Sequence, residues 1–426
     1  VIFAGGAFGS NPPPSSRVLI LSITRRQIRR PVIPWGSLVN RFRILTSFPA
    51  LILVLLCSLA STATPAPAAE PPQRVGIQQD LDLELFLEQV RQEHNLPAVA
   101  AAIVTSEGVQ QVAAVGVRRN DATDRVTLED RFHLGSVTKS ITATCIALLV
   151  EEGVIEWTTT VPAVFPELVE AMHPAYAEVT LKDLLNHRSG VPAYVVDGEF
   201  ESAPVPAEAS AVTRRRAFAV WMLQQPPATT QGEYLYSNAG YSVATAMCEA
   251  VSGECWEDLV TYRVLQPLGL KTADFGWPNE FSSRQPWGHG SYRGSNDCWP
   301  VPPGSTWRLT DLSAPAGDVH MSVTDLARYV QFHMRGLRGE AGTIPAETIR
   351  QLHQPAGKYA LGWFVGQTGG ELRSWHPGSA GTFLSSVQIS HERDIAAIFL
   401  CNVHTEGADT ACVQIIDHLM GEIARH

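Results

Sequence analysis

Phe132-His133-Leu134-Gly135-Ser136-Val137-Thr138-Lys139 opens a helical pattern that runs on through Ile141, Cys145, Leu148 and Leu149 to Gly153. Residues three apart at a helix start share a face, so Ser136 and Lys139 are neighbours. A serine hydroxyl is a weak nucleophile until a neighbour takes its proton. A lysine one turn away does this once burial or a nearby cation lowers its pKa. Backbone N–H groups at the helix start add an anion-stabilising end. Ser-x-x-Lys alone is common, and an ordinary capped helix with a surface lysine reads the same way. Only four of the 32 basic residues are Lys, however, and Lys139 alone has a Ser three positions before it. Arginine, the rule elsewhere in the chain, does not give up its proton.

Two further clusters carry the same chemistry. Tyr236-Ser237-Asn238 precedes a helix expected near 238–252. Its phenol can relay a proton if cations depress its pKa, and its amide can hold both Lys139 and a substrate carbonyl. His376-Pro377-Gly378-Ser379 ends an expected strand. Gly378 lets backbone approach a ligand closely, and the N–H groups of Ser136 and Ser379 make an oxyanion hole. His376 is expected to be protonated and to lower the Tyr236 pKa. Taken singly, the second and third clusters also read as an Asn-capped turn and a structural histidine.

The rest of the pattern sets the architecture. A helix is expected over about 80–94, a hairpin over 99–104 and 109–117, and helices near 180–187, 209–224 and 322–335. Strands return at about 359–366, 371–376, 382–389 and 394–401, before a helix at about 409–424. The economical arrangement is an α/β fold of α+β type. One antiparallel sheet is built from the terminal segments (about 76–135 and 355–426), flanked by helices, with a mostly helical insertion (about 136–354). The Trp-, Gly- and Pro-rich stretch 282–306 reads as a long loop walling a site.

The order and spacing of the three clusters resemble the serine β-lactamase-like family of class C β-lactamases, D,D-peptidases, D-aminopeptidases and related esterases. The likeness extends over about 80–425 and takes in Leu184–Pro192 and Pro315–Ala327. It implies that Ser136 is acylated, that Lys139 and Tyr236 share general-base and general-acid work, that Asn238 positions, and that Ser136 and Ser379 hold the oxyanion. Where class C enzymes carry Lys-Thr-Gly, this chain has His376-Pro377-Gly378. Pro377 lacks the hydroxyl that helps to bind a substrate carboxylate, and it lacks an N–H. The expected activity is therefore hydrolysis of an ester, or of an amide or peptide bond of D-amino-acid type. A β-lactamase and a catalytically silent penicillin-binding-like protein are the alternatives. The α/β-hydrolase elbow Gly-x-Ser-x-Gly does not occur.

Composition bounds the partners. Residues 1–69 hold seven Arg and no Asp, Glu or Lys, so the remainder carries −17 of formal charge (−10 minus 7). Such an acidic surface repels nucleic acid and anionic lipid. A small molecule or peptide is expected as substrate. Arg41 and Arg43, the apolar run 48–56 and the small residues after it form the pattern of a signal peptide. Export, with no membrane span after cleavage, is the expectation. The absence of Met before Met172 points to a non-Met start such as Val39, or to a truncated N-terminus. No CxxC or HExxH occurs, and no metal or other cofactor is expected. Six Cys follow the signal region, and bridged and free states are equally open, with Cys248–Cys255 and Cys401–Cys412 the near pairs.

Overall fold

The Val- and Ala-rich runs before and after Ser106-Glu107 fold back on each other as β1 (Ala98–Thr105) and β2 (Gly108–Gly116). The computed structural model describes residues 80–422 apart from Asp197, Arg293, Ala341 and Thr343; the expected signal peptide lies outside these residues. The strands that follow are β3 (Arg131–His133), β4 (Asp274–Phe275), β5 (His289–Ser291), β6 (Cys298–Pro300) and β7 (Val319–Ser322). The last four are β8 (Phe364–Thr368), β9 (Glu371–Ser379), β10 (Leu384–Ser390) and β11 (Ala396–Cys401). Six helices have thirteen residues or more among those described. They are α1 (Leu81–Glu93), α2 (Thr138–Glu151), α3 (Ala211–Gln224), α4 (Asn238–Ser252), α5 (Val323–Leu337) and α6 (Glu406–Glu422).

The two ends of the chain build one antiparallel sheet in the order β2-β1-β11-β10-β9-β8. Both faces are covered, which is why β1 and β11 read as continuous apolar runs rather than alternating ones. Leu83, Leu87 and Val90 of α1 and Ile415 and Leu419 of α6 pack with Val99, Ala101 and Phe399 on one face. Leu326 and Val330 of α5 and Ile141 of α2 pack with Ala100, Ala102, Ile398 and Leu400 on the other.

The middle of the chain is helical but not wholly so. It also contains a three-stranded sheet, β3-β7-β4, and the hairpin β5-β6 inside the stretch expected to be loop. These strands have two to four residues, too few for a period-two pattern to show in sequence. The strand expected from 359 begins only at Phe364, because a turn closed by Ala360 N–H on the Trp363 carbonyl interrupts the run. Cys145, Cys248, Cys255, Cys298, Cys401 and Cys412 are free thiols, so neither near pair is bridged. Among the described residues no helix is long and apolar enough to cross a membrane.

Arg215 of α3 is buried against α4, whose first residue is Asn238. It lies 2.6 Å from Glu249 and 2.9 Å from Glu257, and donates to the Asp311 carbonyl at 3.0 Å. Burial opposes the charge, but the two carboxylates outweigh it and raise the guanidinium pKa above its ordinary value. Removing one partner of such a pair leaves a charge without full compensation. Glu249→Ala is expected to lower stability by about 3 kcal/mol, read as a lower urea midpoint at unchanged slope.

Candidate active site

Ser136 sits in a single 3₁₀ turn, Gly135–Val137, that leads into α2. Gly135 has φ +49, and a Cβ there would stand 2.4 Å from the Ser379 backbone nitrogen. A Cβ on Gly378 would stand 2.0 Å from the Leu134 carbonyl oxygen and 3.0 Å from the Ser136 nitrogen. The two glycines thus let the turn and the end of β9 touch backbone to backbone. The expectation for Gly378 is corrected in this respect: the space it frees is filled by the chain's own Leu134 and Ser136, not by a ligand. The contact brings the backbone nitrogens of Ser136 and Ser379 close to each other.

A buried brace holds the turn. The Gly135 N–H donates to His133 Nδ1 at 3.2 Å, and His133 Nε2 lies 3.1 Å from Asp318 Oδ1. The carboxylate keeps the ring proton on Nε2, which leaves Nδ1 free to accept. Burial raises the Asp318 pKa, and the hydrogen bond from His133 opposes that rise. The Ser385 hydroxyl donates to the Leu134 carbonyl at 2.7 Å from the other side.

Lys139 is fully buried one turn into α2. Its Nζ lies 3.0 Å from Ser136 Oγ and 2.8 Å from the Ala316 carbonyl oxygen. The rings of Tyr236 and Tyr241 stand over it, with centroids 4.8 and 5.5 Å away. Burial pushes its pKa well below the ordinary lysine value. Its Nζ donates to the Ala316 carbonyl and faces the Ser136 hydroxyl.

Three readings from sequence need correction. Asn238 does not hold Lys139. Its Nδ2 donates to the Tyr194 carbonyl at 2.8 Å, and its Oδ1 is buried without a partner among the described residues; Ala316 takes the place it was given. His376 is not a cation. Its Nε2 accepts from the Tyr359 hydroxyl at 3.0 Å, its Nδ1 lies 2.6 Å from the Pro377 carbonyl, and burial pushes its pKa down to about 3. The Tyr236 phenol is not depressed either. Burial raises its pKa above the ordinary value, and the approach of the Ser136 hydroxyl to its oxygen offsets this only in part. Tyr236 keeps its proton.

The structure also brings in groups not singled out from sequence. His187, at φ +62, packs its ring 4.4 Å from those of both Tyr236 and Tyr359. Its Nδ1 accepts the Ser237 N–H at 3.1 Å, which fixes the turn that presents Tyr236. His187 and Ala316 lie within the stretches Leu184–Pro192 and Pro315–Ala327 that carried the resemblance. Tyr359 gave no signal, because nothing local marks a tyrosine that caps a histidine on another strand.

A family model described as beta-lactamase matches residues 83–416. The chain belongs to the beta-lactamase family. Penicillin-binding protein 4 of Amycolatopsis lactamdurans is 25% identical over 352 residues, covering 79% of this chain and 88% of that protein. Unguisins hydrolase ungD of Aspergillus violaceofuscus is 26% identical over 257 residues, which cover 59% of this chain. The match spans only 44% of that hydrolase, under half its length. The octameric penicillin-binding protein homologue of Pyrococcus abyssi superposes with a TM-score of 0.65 at 24% identity, over 80% of this chain and 77% of that one. At that identity the superposition speaks for the beta-lactamase fold alone.

Two outcomes follow from the buried amine and the neutral histidine. Lys139 binds fewer protons folded than unfolded between its lowered pKa and about 10.4. It therefore destabilises the fold at neutral pH, and less so as pH rises through that window. Lys139→Met is expected to abolish turnover and to raise stability at pH 7 by about 0.5–2 kcal/mol, with the gain shrinking toward pH 10; a thermal melt at several pH values checks this. His376→Asn is expected to leave the acid limb of the pH–rate profile between pH 5 and 8 where it was, since His376 carries no proton to lose there.

Proposed function

We propose that this beta-lactamase-family chain is a serine hydrolase that cleaves an ester or amide bond through an acyl-enzyme on Ser136. The observation that carries the reading is the buried Lys139 Nζ, 3.0 Å from Ser136 Oγ. Lys139 as free amine takes the Ser136 proton while Oγ attacks the substrate carbonyl carbon. The oxygen turns negative between the N–H groups of Ser136 and Ser379. Tyr236, still protonated, gives its proton to the leaving group and is reprotonated by the Lys139 ammonium. Water then attacks the acyl carbon, its proton returns by the same groups, and Ser136 is released. Asn238 Oδ1, buried and unpartnered, is left to accept an N–H of the substrate.

Substrate class follows from charge. With His376 neutral, the Lys139 pKa pushed well down by burial and Pro377 in place of a hydroxyl, these residues disfavour a terminal carboxylate. That favours esters and amides without one. The hydrolase named among the relatives supports bond cleavage, and the penicillin-binding relative makes penicillin the second acyl donor to try. The basic and apolar stretch 41–56 supports export.

Ser136→Ala is expected to cut turnover of p-nitrophenyl acetate or butyrate by at least about 10³-fold; retained activity would move the nucleophile elsewhere. In the native chain a fluorophosphonate is expected to add its mass at Ser136, found by peptide mass spectrometry, with a penicillin run in parallel. Activity should rise with pH through the lowered Lys139 value, because only the free amine is a base.

A further inference from the structure

The stretch expected to wall a site, with Trp307 just after it, carries rings that the core does not use. Tyr292, Trp299 and Trp307 are exposed. The Tyr292 and Trp299 centroids lie 4.7 Å apart and those of Trp299 and Trp307 6.3 Å apart, with the planes tilted by 50° and 55°. Gly290 of β5 seats both indoles: a Cβ there would stand 2.8 Å from the Trp307 ring and 2.9 Å from that of Trp299. The hairpin beneath is tied to the main sheet. The His289 N–H is shared between the Thr382 and Asn402 carbonyls at 3.1 and 3.0 Å, and the Ser291 hydroxyl donates to the His404 carbonyl at 3.1 Å. The row also approaches the nucleophile. Leu309 is two residues from Trp307, at most about 7 Å along the chain. A Cβ on Gly317 would stand 3.0 Å from Leu309 Cδ1 and 3.9 Å from the carbonyl carbon of Gly135, the residue before Ser136.

We propose that Tyr292, Trp299 and Trp307 form a substrate subsite for a flat, uncharged aromatic ring borne by the ester or amide that Ser136 attacks. The inference rests on the reading of Ser136 as nucleophile. A contiguous apolar surface left open to water on a firm support is characteristic of a ligand groove. The spacing decides what lies there. A group held between two ring faces needs them about 7 Å apart, and neither neighbouring pair leaves that room. The neighbouring rings touch each other and do not enclose an ammonium between them. The guest lies across their outer faces, where a further ring gains by offset or edge-to-face stacking. Charge agrees with a neutral guest. Arg308, between Trp307 and Leu309, is paired with Glu280 and stands over the Trp277 ring, 5.1 Å from its centroid.

Two matched pairs of esters test this. 3-Phenylpropyl acetate and 3-cyclohexylpropyl acetate carry the ring on the alcohol side, ethyl 4-phenylbutyrate and ethyl 4-cyclohexylbutyrate on the acyl side. Rates are followed by pH-stat and corrected for the Ser136→Ala variant. In the native chain kcat/KM is expected to favour phenyl over cyclohexyl by about threefold to tenfold in at least one pair. Cyclohexyl is as large and more apolar, so the ratio reads stacking rather than greasiness. Trp299→Leu and Trp307→Leu are expected to bring that ratio toward one. Gly290→Ala keeps every ring but sets a methyl against both indoles, and is expected to lower the ratio as well. The ratio is taken within each variant, so a loss of folded protein cancels. A native chain without phenyl preference in either pair overturns the proposal, as does a preference that both tryptophan variants leave unmoved. If none of the esters is cleaved although a fluorophosphonate labels Ser136, the subsite alone is wrong. If Ser136 is not labelled either, the hydrolase reading fails and this one falls with it.

Discussion

Burial disfavours the charge on a lysine amine enclosed by two tyrosine rings and a backbone carbonyl. Lys139 is fully buried, with Ala316 as its acceptor and the Ser136 hydroxyl as its other neighbour. Desolvation pushes its pKa well below the ordinary lysine value. The chain accepts an expensive burial that lowers the pKa of an ordinarily strong base, as the proposed role of Lys139 requires. Much of the surrounding construction keeps water from that nitrogen: α2 supplies it, α4 and the turn before it supply Tyr236 and Tyr241, and the segment before β7 supplies Ala316.

The same desolvation sets every other proton nearby. His376 and His187 are pushed to the neutral side, and Tyr236 and Tyr359 are held protonated. Groups that rest neutral avoid the cost of unpaired charges in a buried site. His187, Tyr236 and Tyr359 pack ring against ring beside Lys139. The oxyanion side follows another rule. There, two glycines allow backbone contact, and the His133–Asp318 brace fixes the turn from behind.

The hairpin, the main helices and the sheet built from both ends of the chain were legible because each is long enough to repeat its period. The short strands β3 to β7 were not, and one apolar run was broken by a turn that no residue type announces. At the site, Ser136, Lys139 and Tyr236 were legible from type and spacing. The geometry brings all three together, with the Lys139 nitrogen between hydroxyl and ring. The error lay in protonation: His376 and Tyr236 were given the states that a polar, cation-rich cleft would impose.

From residues alone came the candidate reacting groups, the antiparallel sheet closed by the chain's two ends, and Pro377 at the position where the family resemblance expects a hydroxyl, since all three depend on residue type and order along the chain. Only the tertiary structure decided which partner each group meets and whether it carries charge. Asn238 faces Tyr194, His376 faces Tyr359, and Lys139 faces Ala316, 177 residues away. Protonation depends on how much water is excluded, and water is excluded by segments that meet only when the chain is folded.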